Sequence, residues 1–343
     1  MSFKTRIRQA LSAGAGVLAL LATLAATPAQ ADPTVICYNC PPEWADWAGQ
    51  VKAIESDLGI RVPLDNKNSG QAVAQMIAER NSPVADVVYL GITSAIEAAK
   101  KGLLAPYKPA HWDQIPTDLK DPDGLWFSIH SGTIGFFVNR DALEGKPVPK
   151  SWADLLKPEY RGMVGYLDPS SAFVGYASAV AVNQALGGTI DNFGPALEYF
   201  KKLKQNDPIV PKQTSYARVL SGEIPILLDF DFNAYRAIYK DHANVQFVIP
   251  AEGTVALPYV MALVKGAPHA ADAKKVLDYT LSDKGQAHWA QAYLRPVRQG
   301  AMDPELAKKF LPASDYERVR PVNLEQLAAR QASFGQDYLK NVR

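Results

Sequence analysis

The chain has 343 residues, 48% of them apolar, with 36 Lys and Arg against 35 Asp and Glu for a formal charge of +1. So even a balance excludes the basic face that nucleic-acid binding requires, and no nucleic-acid partner is expected. Two cysteines in this length exclude a disulfide-built scaffold, because the apolar content is ample for about two ordinary cores.

Lys4, Arg6 and Arg8 precede an apolar run from Val17 to Ala26, and Ala29-Gln30-Ala31 supplies small residues at a cleavage site. Thr27 and Pro28 stand where a membrane anchor would carry a cationic stop. The pattern predicts a cleavable export signal over residues 1–31 and a periplasmic location. Asp32 follows the cleavage point, so no lipid-bearing cysteine is expected there. The remaining chain has 33 cationic and 35 acidic residues, and no later segment suits a membrane span.

Thr34 to Cys37 predicts a first strand and Glu43 to Leu58 a helix, with Trp44, Trp47, Val51, Ile54 and Leu58 on one stripe and Gly59 ending it. Between them, Cys37-Tyr38-Asn39-Cys40 has the placement of thiol-disulfide redox centres, where a helix start lowers a thiol pKa. A structural disulfide, or two thiols shaping a turn, is the other reading. The five histidines are scattered singly, so no zinc site or other resident cofactor is expected. Arg61-Val62-Pro63-Leu64 predicts a second strand, Gln71 to Arg80 a second helix and Ala85 to Leu90 a buried third strand. Two βα units in series predict a parallel sheet.

At Ser131-Gly132-Thr133 a flexible turn is expected to lead into an apolar strand ending at Asn139, as a first interdomain crossing. Helix starts at Ser151-Trp152-Ala153-Asp154 and Ser170-Ser171, with strands at Met163 to Leu167 and Pro225 to Asp229, predict a second lobe. After a run from Val245 to Pro250, the long strand Thr254 to Val264 returns the chain to the first lobe, which helices from Ala271 complete. The fold class is thus α/β, in two lobes: residues 32–133 with 254–343, and residues 134–253. Two crossings join them around a cleft, and ligands in such sheets settle beyond strand ends.

Four donor-rich segments fall at such ends. Ser69 and Gly70, after Asn68, start a helix whose N–H groups and dipole suit an anion. Asp168-Pro169-Ser170-Ser171 repeats the arrangement, Ser131 and Thr133 lie at the crossing, and Tyr216 follows Gln213-Thr214-Ser215. Each segment also reads as an ordinary cap or turn. Asp229 and Asp231 alternate at a strand end, pointing to one side where they could hold an ammonium group, or else cap a helix and pair with Arg236. Tyr38 is placed to floor the cleft, and Trp44 and Trp47 read as core. Arg295 and Arg298 could face a ligand or pair at the surface. The nucleophile elbow, Walker loop, zinc helix and dinucleotide fingerprint are all missing from the sequence, so no catalysis is expected.

The chain resembles the periplasmic solute-binding proteins of ATP-driven importers, in the group with a two-lobed periplasmic-binding-protein fold that includes ferric-iron, sugar-phosphate, 2-aminoethylphosphonate, thiamine and polyamine binders. The residues that carry the likeness are Ser69-Gly70, Asn81 to Val87, Gly135 to Arg140, Ser151 to Leu155 with Pro158 to Gly162, and Ser221 to Pro225. The resemblance implies a monomeric, hinge-bending binder that delivers its solute to a permease and ATPase at the inner membrane. Ferric binders of the group use neighbouring tyrosines, whereas Asp229 to Arg236 holds Tyr235 alone and Tyr216 would be a lone phenolate. Organophosphate binders use Ser, Thr and backbone donors, as Ser69, Ser131, Thr133, Ser170 and Ser171 would supply. A small organic anion is therefore expected, a phosphonate or phosphate ester before a carboxylate. The alternatives are iron or a polyamine in the same role, and a secreted thiol-disulfide protein.

Overall fold

A computed structural model describes residues 33–213, 215–298 and 300–343. The expected leader and its expected cleavage point, with Thr214 and Gln299, lie outside them. The strands are β1 (Cys37–Tyr38), β2 (Val87–Gly91), β3 (Leu104–Ala105), β4 (Phe127–Asn139), β5 (Val164–Gly165), β6 (Ile226–Phe230), β7 (Val245–Val248), β8 (Thr254–Val264), β9 (Arg295–Pro296) and β10 (Val319–Arg320). The helices are α1 (Trp47–Leu58), α2 (Ser69–Ala78), α3 (Ile92–Lys100), α4 (Phe173–Ala185), α5 (Gly194–Lys204), α6 (Tyr216–Leu220), α7 (Asp231–Tyr239), α8 (Ala270–Leu281), α9 (Asp283–Gln291), α10 (Pro304–Ala307), α11 (Ala313–Tyr316) and α12 (Leu324–Asn341).

The α/β class is as expected, but the sheet is mixed, not parallel. Its order is β1-β2-β8-β4-β6-β5. β1 runs parallel to β2 and β5 to β6, whereas β8 lies between β2 and β4 and antiparallel to both. A strand arriving from more than a hundred residues away overrides the local βα rule. Arg61 to Leu64 forms no strand; a single parallel bridge joins Thr34 to Arg61, and Pro63 has no N–H with which to extend it. In the α1 stripe Trp44, Trp47, Val51 and Ile54 are buried, but Leu58 is exposed in the last turn. Gly59 ends the helix at φ 66°, its N–H donating to the Glu55 carbonyl.

Ser131-Gly132 is not a turn but part of the continuous β4. Gly132 is there for space: a Cβ would stand 2.7 Å from the Phe232 ring. β4 changes neighbours along its length. Phe127 to Thr133 pair with β8, and Ile134 to Asn139 pair with β6 on one edge and β7 on the other. β8 does the same, with Thr254 and Val255 pairing β10 before the strand enters its place between β2 and β4. The almost wholly buried α4 covers β6 and β8, while α12 packs on α3 and α5.

Candidate functional site

A recess opens between the end of β1, the start of α2 and the start of α4. Its polar wall is Asn39, Asn66, Lys67, Asn68, Ser69 and Gln213; its apolar wall is Pro41, Trp44, Leu167, Phe173 and Tyr259.

The polar wall is held by a tight local network. Cys37 and Cys40 form a buried disulfide around a turn in which Asn39 has φ 64°, a left-handed conformation that Asn tolerates. The Asn39 N–H donates to Asp65 at 2.8 Å, and its Nδ2 donates to the Tyr89 carbonyl at 2.6 Å. Asp65 in turn pairs with Lys67 at 2.7 Å, and the ammonium of Lys67 lies 4.4 Å from the centroid of the Tyr38 ring.

Asn68 and Gln71 form a reciprocal capping box at the start of α2. Ser69 is 3% exposed, and its oxygen accepts from Gly91 N–H at 3.1 Å and from Asn39 Nδ2 at 3.3 Å. Both lone pairs of that hydroxyl are engaged, so what it has left to offer is its proton. Opposite, α4 begins at Ala172 without a side-chain cap, and Ala172, Phe173 and Val174 line the recess. First-turn N–H groups there have no capping acceptor. The two helix starts almost meet, because a Cβ on Gly70 would collide with the Ser171 carbonyl, and one on Gly91 with the Phe173 ring.

Beneath the apolar wall, Trp44 Nε1 donates to the Tyr89 hydroxyl at 3.2 Å, and that hydroxyl lies 2.8 Å from His130 Nε2. Burial pushes the His130 ring down to about 3, so it is neutral.

Of the sequence-predicted site residues, Ser69 lines the recess and Gly70 closes beside it. Tyr38 does not floor it: its hydroxyl donates to Glu79 at 2.8 and 3.0 Å, and burial together with that carboxylate raises its pKa. Ser170 Oγ donates to Asp168 at 2.6 Å, while Ser171 is exposed and meets Gly70 through its carbonyl. Ser131, half-buried in β4, pairs with Pro258 and Arg295; Thr133 is buried, its N–H donating to Asp231 at 3.0 Å. Tyr216 donates to Asp241 and lies under the Arg236 guanidinium, with burial raising its pKa.

The two aspartates do not point to one side, because β6 stops at Phe230 and Asp231 already belongs to α7. Asp229 is buried against Phe230 N–H and Asn233, and Asp231 pairs with Arg295 at 2.5 Å. Arg298 is likewise occupied, by Gln114 and Asp283. Sequence reasoning missed Lys67 and the Ala172 to Val174 turn. Lys67 was legible as the lone cation just before a capping box, whereas an uncapped helix start leaves no sequence signature.

Residues 82–325 match the family described as bacterial extracellular solute-binding protein. An uncharacterised protein of Haemophilus influenzae is 32% identical over 68% of this chain and 69% of its own. A putative 2-aminoethylphosphonate-binding periplasmic protein of Salmonella typhimurium is 28% identical over 82% of this chain and 84% of its own. In fold, the periplasmic binding protein AfuA of Actinobacillus pleuropneumoniae, solved with exogenous fructose-6-phosphate bound, superposes with a TM-score of 0.76 at 23% identity, covering 90% of this chain and 98% of that one.

Proposed function

Because the chain belongs to the bacterial extracellular solute-binding protein family, we propose that it is the periplasmic solute-binding component of an ATP-driven importer, capturing a small organic anion and handing it to a membrane permease without chemistry. Phosphonates and phosphate esters are the favoured class. The observation that carries this reading is the Ser69 hydroxyl, which faces the recess as a donor only. An acceptor oxygen satisfies it; an ammonium group does not. The α2 N–H groups and the uncapped α4 start add positive potential of the same sense, the Lys67 charge being offset by Asp65, and none of the described lining residues is acidic. Residues 32–133 with 254–343, and residues 134–253, form the two lobes of this reading, closing by bending where β4 and β8 change neighbours.

The 2-aminoethylphosphonate named for the Salmonella relative and the sugar phosphate bound to AfuA both fit an acceptor-rich head group. An amine on the solute would lie against the Trp44 and Tyr259 rings as a cation–π contact, since Asp229 and Asp231 are buried and engaged. Ferric iron and polyamines are less well served. Fe(III) favours several anionic oxygens together, a polyamine needs carboxylates, and Tyr216 is committed to Asp241. The thiol-disulfide alternative would need Cys37 and Cys40 within reach of a partner thiol, and both are buried.

The test is thermal unfolding of solute-stripped protein against phosphonates, phosphate esters, carboxylates, polyamines and ferric citrate. Ligand at a hundredfold its Kd stabilises by about 2.7 kcal/mol, which raises the midpoint by several degrees. Phosphonates or phosphate esters are expected to give that rise, and Ser69→Ala to weaken it by roughly tenfold in affinity, the scale of one charge-assisted hydrogen bond. A rise with polyamines or iron alone would overturn the anion reading.

A further inference from the structure

The loop that carries Trp44 into the recess is gripped from outside by α7. Its residues Ala45 and Asp46 both have φ 51°, left-handed conformations that cost non-glycine residues energy and persist only when neighbours over-determine them. Two of those neighbours come from α7 and its C-terminal cap. Arg236 donates to the Glu43 carbonyl at 2.9 Å and lies 3.8 Å from Asp46, while Lys240 reaches both Asp46 oxygens at 3.0 and 3.1 Å. The Asp46 side chain is only 8% exposed, and His288 approaches it at 3.6 Å from α9. Gly49 leaves the room: a Cβ there would stand 2.6 Å from Asp46 Oδ2 and 2.9 Å from His288 Nε2.

We infer that Arg236 of α7 and Lys240 at its C-terminal cap form an ion-pair latch with the Glu43 to Asp46 loop that holds the cleft closed, so that charge pairs which never touch the solute help to set its affinity. This rests on the hinge reading above, in which the loop and α7 belong to different lobes. The loop supplies a wall of the recess through Trp44, so releasing α7 from it both frees the lobes and relaxes that wall. A closed state favoured before solute arrives lowers the apparent dissociation constant in proportion to its population. Such a latch is also partly screened by salt, because Lys240 is half exposed.

The experiment places spin labels at Ala271→Cys and Lys202→Cys, one in each proposed lobe, and measures the distance distribution of the solute-free protein in low salt and in 1 M NaCl. Lys240→Met and Lys240→Glu are compared in that background, with Gly49→Ala disturbing the same cluster from the other side. The closed-to-open ratio should fall roughly three- to tenfold in Lys240→Met and further in Lys240→Glu. High salt should reproduce part of that fall in the parent and add little in Lys240→Met. Two populations in an unchanged ratio across all variants and salts would overturn the latch while leaving the hinge intact. One unvarying distance in every protein, with and without 2-aminoethylphosphonate, would overturn the hinge and the latch together.

Discussion

Asp229 accepts the Phe230 N–H at 2.8 Å and Asn233 Nδ2 at 3.0 Å, yet burial pushes its carboxyl up from an ordinary 3.8 to about 7. The folded protein therefore holds that proton more tightly than the unfolded chain does. Its contribution to stability is complete below about pH 4 and is lost as pH rises towards 7. Urea unfolding of the parent and of Asp229→Asn at pH 4, 5.5 and 7.5 should show the gap between them moving against the parent by on the order of a few kcal/mol over that range. A pH-independent gap would refute the assignment. The sequence made Asp229 conspicuous and misread its purpose, because alternation along a strand says nothing once the strand ends one residue later. Ser69 was legible for a different reason: a small polar residue directly after a capping Asn lies at the helix start whether or not a strand precedes it, and here none does. Tyr38 failed on a side chain's choice of neighbour, since Glu79 lies 41 residues away.

Long strands and glycine-bounded helices were the most legible elements. Thr254 to Val264 appears with the predicted ends, and α1 stops where Gly59 said it would. What the sequence could not reveal was pairing, since β8 runs antiparallel between strands nearest in sequence to other segments. Two predictions belong at this scale. The Cys37–Cys40 disulfide closes a four-residue loop, so replacing both cysteines with serine should cost about 2 kcal/mol on the chain-entropy estimate while leaving the thermal response to anions in place. Loss of that response without loss of fold would restore the redox reading. Gly91→Ala drives a methyl into the Phe173 ring where β2 meets α4, and should destabilise by about 1–3 kcal/mol in denaturant titration.

In the whole molecule, the C-terminal segments tie distant parts together. Leu306, Phe310 and Tyr316 pack on the cluster around Tyr235 and Phe247, and α12 joins Lys100 through Glu325 and Tyr166 through Tyr338. Arg343 completes the series on Asp168, the carboxylate that fixes Ser170. Truncation after Asn323 should therefore expose Tyr176, Phe193 and Tyr166, read as dye binding and a lowered unfolding midpoint.

The place of β8 between β2 and β4 has a bearing on how the chain is made. Neither neighbour can complete its ladder until residue 254 and those after it are available, so the first half of the polypeptide has no finished sheet of its own. Pairing across such sequence distances is slow. For a chain threaded through a translocation channel as an extended strand, as the leader predicts, this delay is protective: premature compaction on the cytoplasmic side is denied its central strand until nearly three quarters of the polypeptide has been synthesised.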